Sequence, residues 1–266
     1  MIPEELDRAI RHDKEAGKTP IAVVATAGSV NTGAIDPLAE IAAIAHRHNS
    51  WVHVDGAYGA LAAIAIPEKF SGLKLADSLS LDPHKWLYQP LDAGCLLYRD
   101  AGAARNAFAH TGEYARALTS DPVEGFAFFE ESVELSRRFR ALKLWLSLRY
   151  HGLAAFREAI QRDLAHAHQL AQQIAAHADL ELMAPVDLSA VCFRYRGTGQ
   201  ASDNDLNQVN PKILKRVIDR GRVYLSNASL RNRFCLRVCV VNHRTTDADI
   251  DSVVAEVLEA ALEVAR

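Results

Sequence analysis

Two segments of this 266-residue chain hold residues able to act together chemically. HVDGAYG, residues 53–59, ends an apolar run on Asp55, and DPHKW, residues 82–86, sets Lys85 between His84 and Trp86. In open α/β sheets ligands sit outside the carboxyl ends of the strands, and Thr26, Asp55 and Lys85 each fall at such a place. An amine forms an imine with an aldehyde, and a carboxylate holds a ring nitrogen protonated. Together, Lys85 and Asp55 would serve an aldehyde cofactor with a ring nitrogen. A free lysine amine has a pKa of about 10.4, so attack needs an environment that favours the neutral form. Partial burial between His84 and Trp86 would help. Gly56 and Ala57 would let a flat ligand lie close to the backbone. Taken singly, an aspartate at a strand end is usually a turn former or helix cap, and a lysine beside a turn is usually a solvated charge. The pairing carries the reading.

The surrounding pattern supplies elements to position them. IAVVA (21–25) is a β-branched apolar run suited to a strand buried on both faces. Asp36-Pro37 reads as an N-cap with proline at the first helical position, before helical spacing of Leu38, Ile41, Ile44 and Ala45. WVHVD (51–55), DSLSLD (77–82) and GCLLYR (94–99) read as further strands. Strand–helix–strand order implies crossovers and a layered, parallel sheet. Residues 130–150 read as a long helix stopped at His151-Gly152, with a second helix to about Ala178. Beyond Pro185, strands at 190–196, 222–226 and 234–241 alternate with helices at 211–221 and 247–266, the last capped by Thr246.

Composition excludes several classes of function. With 49% hydrophobic and 24% charged residues and a net charge of -3, nothing points to nucleic acid or an anionic membrane. No apolar run nears the roughly 20 residues of a membrane helix. Scattered Cys95, Cys192, Cys235 and Cys239 suit reduced thiols in the cytoplasm. His46 and His48, like His166 and His168, stand two apart on helices and do not face the same way, so no metal site is read from them. His53 reads as a packed or hydrogen-bonded strand residue.

Ser78 to Arg99 resembles the lysine-site signature of the group II pyridoxal-phosphate-dependent decarboxylases, which include aromatic amino acid, histidine and glutamate decarboxylases. Ser78 stands seven residues before Lys85, bulky Trp86 and Leu87 follow it, and Leu91, Ala93, Leu96 and Arg99 fit the rest. ATAGSVNTGAIDP (25–37), SRRFRALKLWLSLRYHG (136–152) and LRVCVVNHRTTDADI (236–250) are also similar to family segments. The resemblance implies an α/β, fold-type-I pyridoxal-phosphate-dependent transferase-like architecture. Residues 1–151 would be the C-terminal half of a cofactor-binding large domain with a mostly parallel sheet, and 152–266 a small C-terminal α+β domain. It implies pyridoxal 5'-phosphate carried by Lys85, with Asp55 on the pyridine nitrogen, Ala57 packed on the ring and His84 beside the linkage. Thr26 and Asp82 would lie near the cofactor; an aspartate beside a phosphate is unfavourable unless it faces away or binds a backbone amide. Arg237 would meet the substrate carboxylate, its alternative being a strand-edge surface charge.

The implied reaction is decarboxylation of an L-amino acid, aromatic by preference, to the amine and carbon dioxide. The expected partners are that substrate and a second copy or a complementary N-terminal segment, with neither nucleic acid nor membrane. Family members carry a long preceding segment with dimerising helices, a serine-rich phosphate cup and a histidine that stacks on the ring. This chain therefore reads as a C-terminal portion, expected to be poorly soluble or inactive unless that segment is supplied. Ser29-Val30 stands where hydroxyl residues are common, so one contact to the ring hydroxyl is expected to be missing. Phe128, counted without gaps, takes the place of a catalytic-loop tyrosine that protonates the carbanion. Members with phenylalanine there release an aldehyde by oxidative deamination. Aldehyde formation therefore stays open beside decarboxylation, with Tyr114 as another candidate proton donor. A non-catalytic remnant or partner subunit is the third reading.

Overall fold

A computed structural model describes residues 1–108, 128–197 and 201–264. Helix α1 (Pro3–Glu15) leads into a four-stranded sheet in the order β1-β2-β3-β4. Strands β1 (Ala22–Thr26), β2 (Trp51–Asp55) and β3 (Ser78–Leu81) are parallel, and β4 (Cys95–Tyr98) closes the edge antiparallel to β3. Helix α2 (Leu38–Arg47) is the crossover between β1 and β2. Its Leu38, Ile41, Ala42 and Ala45 pack into one core with Val23, Ala25, Val52 and Val54. The other face of the sheet is open: Val24 is 54% exposed and Trp51 36%. β1 is therefore buried on one face and not on both, because no described element covers the second. On that face Trp51 Nε1 donates to Ser78 Oγ (2.8 Å), and His53 Nδ1 lies 2.8 Å from the same oxygen.

Asp36 does not cap α2. Pro37 holds the N-cap position, and the Asp36 carboxylate turns back to accept the Thr26 N–H at 2.9 Å. After α3 (Gly102–Phe108), residues 128–131 form only a 3-10 turn, and the long helix α4 runs Ala141–Ala176. It begins eleven residues later than expected, since side chains in 130–140 engage in local ion pairs such as Arg140 with Glu134 (3.1 Å). Gly152, at φ 76° and ψ 158°, breaks α4 where the sequence placed a stop, and the helix resumes at once.

The second sheet has the order β5-β6-β8-β7, all antiparallel: β5 (Leu180–Leu182), β6 (Ala190–Tyr195), β7 (Ser226–Leu230) and β8 (Arg233–Cys239). The strand expected at 222–226 instead begins at Ser226, where pairing to Arg237 starts. Helix α5 (Asp203–Arg220) starts eight residues before Pro211, at a capping box of Ser202 and Asp205. Thr246 and Asp249 make the equivalent box for α6 (Asp247–Val264). Ile160, Leu164, Leu188 and Ala190 pack into the core of the first sheet, so the two sheets share apolar contacts. Among the described residues no helix is long and apolar enough to cross a membrane.

Asp163 on α4 is 1% exposed and accepts the Tyr88 hydroxyl at 2.9 Å. Burial pushes its carboxyl up to about 6, against smaller opposing effects of the Tyr88 bond, His166 and Arg162. The folded chain thus holds this proton more tightly than the unfolded one. The resulting stability is complete below an unfolded carboxylate's pKa of about 4 and is lost as pH rises through about 6. Urea midpoints measured across that window should fall for the wild type relative to Asp163→Asn, whose amide does not titrate. Parallel profiles for the two proteins would remove Asp163 as the source.

Candidate active site

Parallel register aligns three polar residues at one end of the first sheet. Thr26 pairs with Asp55, and Asp55 with Ser80. Asp55 is exposed; its Oδ1 accepts the Ala57 N–H at 3.1 Å and the Ser80 hydroxyl at 3.4 Å. The first contact is the ordinary aspartate turn, and it also orients the carboxylate at the strand mouth. Thr26 is held from the other side, since its N–H donates to Asp36 Oδ2 and its carbonyl accepts the Asp36 N–H, each at 2.9 Å. Ser80 and Asp36 escaped sequence reasoning. Ser80 has a signal, its period-two spacing from Ser78, but only the register sets it beside Asp55.

Lys85 lies in a tight turn directly after β3. Its N–H donates to the Asp82 carbonyl (3.0 Å), and its Nζ lies 2.9 Å from Asp82 Oδ2. His84 Nε2 is 3.9 Å from the same oxygen, and His84 Nδ1 is 3.3 Å from the Ala93 carbonyl, a bond that requires the proton on Nδ1. Both Lys85 and Asp82 are about 30% exposed. The residue that sets the amine's environment is therefore Asp82, and not Trp86. Trp86 is 0% exposed and packs with Tyr58, ring centroids 5.9 Å apart. Among the described residues Asp82 binds no backbone amide through its side chain; it pairs with the lysine.

Glycines in these segments serve packing before any ligand. A Cβ on Gly56 would stand 2.4 Å from the Ala60 Cβ. Gly28, at φ +96°, abuts Gly59, whose Cα would lie 2.7 Å from an added Cβ. Tyr58 is buried and shares a 2.9 Å hydrogen bond with the Ser189 hydroxyl, tying the Asp55 loop to the second sheet. Arg237, on β8, also reaches this region. Its Nε donates to the Asn31 carbonyl (3.3 Å) and its Nη1 to Ser226 Oγ (3.1 Å). It forms no ion pair among the described residues, so its guanidinium is bonded only to neutral oxygens. Cys192 donates to the same Asn31 carbonyl at 3.0 Å. The structure thus brings Thr26, Asp55, Ala57, His84 and Lys85 to one sheet end, with Arg237 against the loop that follows Thr26. Tyr114 and the side chain of Phe128 lie outside the described residues.

An amine and a carboxylate at adjoining strand ends, backed by a histidine, match the donor set of a pyridoxal-dependent enzyme. Residues 1–196 match the pyridoxal-dependent decarboxylase conserved domain. The chain belongs to the pyridoxal-dependent decarboxylase family. Among its relatives is an aromatic-L-amino-acid decarboxylase of Bacillus atrophaeus, 39% identical over 263 residues, covering 97% of this chain and 54% of that protein. A phenylacetaldehyde synthase of Petunia hybrida is 34% identical over 90% of this chain and 49% of its own length. The crystal structure of Oryza sativa TDC with PLP and tryptamine superposes with a TM-score of 0.92 at 32% identity, over 99% of this chain and 55% of that one. The expected α/β architecture with a mostly parallel sheet is the observed one. The chain spans about half the length of the curated relatives it matches.

Two substitutions test the scaffold. Gly28→Ala should cost about 2 kcal/mol or more in urea unfolding, from a positive φ and a backbone clash together. Asp36→Ala should cost about 1–2 kcal/mol by freeing the Thr26 N–H, while Asp36→Asn, which keeps an acceptor oxygen, should cost less.

Proposed function

We propose that this chain is the lysine-bearing part of a pyridoxal-phosphate-dependent enzyme that decarboxylates an aromatic L-amino acid to its amine. The observation carrying this reading is the row Thr26–Asp55–Ser80 with Lys85 just past the end of the same sheet. Bound there, pyridoxal 5'-phosphate supplies a sink for the electron pair left when the substrate carboxylate departs as carbon dioxide. Lys85 would hold the cofactor through its amine, which the Asp82 pair orients. Asp55 would keep the pyridine nitrogen protonated, and Ala57 and Thr26 would help hold the ring. His84, with its proton on Nδ1, offers Nε2 beside the amine. Arg237, free of carboxylate partners among the described residues, suits the substrate's carboxylate. Names of the relatives support an aromatic substrate.

Open apolar surface supports a further chain. Val24 and Trp51 on the sheet, and Leu142, Trp145, Leu146 and Leu153 on α4, are all exposed. A second copy or a complementary N-terminal segment would cover them and complete the phosphate cup. We place the enzyme in the cytoplasm and the domain boundary at Gly152, dividing 1–151 from 152–266.

Aldehyde formation is the second reading, favoured by Phe128 in the tyrosine position and by the phenylacetaldehyde synthase among the relatives. A single experiment addresses both. With the complementary segment supplied, borohydride should fix cofactor to the wild type, and Lys85→Ala should fix none. Cofactor fixed in Lys85→Ala would refute the lysine assignment. Carbon dioxide without ammonia or peroxide is expected; ammonia and peroxide at parity with carbon dioxide would establish the aldehyde route.

A further inference from the structure

We infer that Tyr88 and Asp163 are positioning residues for Lys85, tethering the lysine's turn to the far half of α4. The inference rests on the assignment of Lys85 as the cofactor lysine, and goes beyond it to what holds that lysine in place. The turn is closed on itself: the Lys85 N–H bonds the Asp82 carbonyl (3.0 Å), the Tyr88 N–H the Lys85 carbonyl (3.1 Å), and the Gln89 N–H the Pro83 carbonyl (3.2 Å). A displacement of Tyr88 is therefore passed to Lys85 through one hydrogen bond. Tyr88 has φ 52°, a left-handed conformation unfavourable for a residue with a Cβ and kept only where surroundings hold it.

Asp163 provides that hold, accepting the Tyr88 hydroxyl at 2.9 Å, and the His243 ring meets Tyr88 edge-on at 5.2 Å. The near half of α4 grips the following residues. Ser147 Oγ accepts from Gln89 (3.1 Å), and Lys143 donates to the Pro90 and Asp92 carbonyls (2.6 and 2.8 Å). Gly152 interrupts the helix between these anchors and Asp163. Among the described residues Tyr88–Asp163 is the hydrogen bond that carries the grip across the break, beside the apolar packing of Trp86 with Ile160 and Leu164. A cavity of about 250 Å³, lined by Leu87, Gln89, Ser147, His151, Phe156 and other residues, adjoins Tyr88 and leaves room for the turn to shift once the bond is lost.

The competing account is that buried Trp86 and Leu87 pin the turn unaided, and the Tyr88–Asp163 bond adds only stability. The two differ in what Lys85 feels. The test uses the whole chain without cofactor and two readouts. One is competitive acetylation of Lys85 by acetic anhydride, relative to exposed Lys74. The other is amide exchange of residues 84–89. Tyr88→Phe and Asp163→Leu should each change both by about fivefold, as expected for loss of one hydrogen bond. The double variant should go no further than either single, and Asp163→Asn, whose amide oxygen still accepts, should behave as wild type. Tyr88→Phe with a lowered urea midpoint but unchanged Lys85 labelling would overturn the inference, as would additive effects in the double variant. If Asp163→Leu does not fold, Tyr88→Phe, which removes a single oxygen, decides alone. A wild type whose Lys85 takes no cofactor would refute the proposed function, while the labelling comparison would still decide the tether.

Discussion

Parallel pairing of β1, β2 and β3 is the constraint on which the rest depends. Parallel strands run in one direction, so their carboxyl ends finish on one side of the sheet, and register then sets which residues share a row. Thr26, Asp55 and Ser80 share one. A slip of one residue between β2 and β3 would turn Asp55 toward the face occupied by Val52 and Val54. The burial of Val52 and Val54 against α2, beside Val23 and Ala25, opposes that slip, because it would expose Val52 and Val54 and bury a carboxylate. The placement of these residues at the strand ends is thus secured by apolar packing along the strands.

Polar contacts then refine what packing positions. Asp36, Ser80 and Asp82 each engage a residue at the sheet end: the Thr26 N–H, the Asp55 carboxylate and the Lys85 amine. Buried Tyr58 and Ser189 join the loop after Asp55 to the second sheet, and Arg237 and Cys192 meet on the Asn31 carbonyl. These contacts span up to 206 residues of sequence, so the site belongs to the assembled fold and to no single segment.

The surface divides in a similar way. Apolar residues facing α2 are buried, whereas Val24 and Trp51 on the opposite face, and Trp145 and Leu146 on α4, are exposed. This is the surface that the proposed second copy or complementary segment would cover.

Much of the fold was legible locally. Apolar runs and caps marked most strands, the Thr246 cap and the stop at Gly152, because each depends on neighbours within a few residues. That Asp55 closes one strand and Lys85 follows the next was legible too, since strand ends can be counted from those runs. Elements that depend on distant partners were not. β7 begins at Ser226 because β8 pairs there, residues 132–140 stay out of helix, and Asp36 serves Thr26 and leaves α2 uncapped. By itself, the sequence determined which residues could do chemistry and the order of the elements that bear them. Tertiary structure alone decided that Asp82 faces Lys85, that Arg237 meets the loop after Thr26, and that Asp163 reaches Tyr88. Hydrogen bonds depend on ångström distances and angles, and those exist only once the chain has packed.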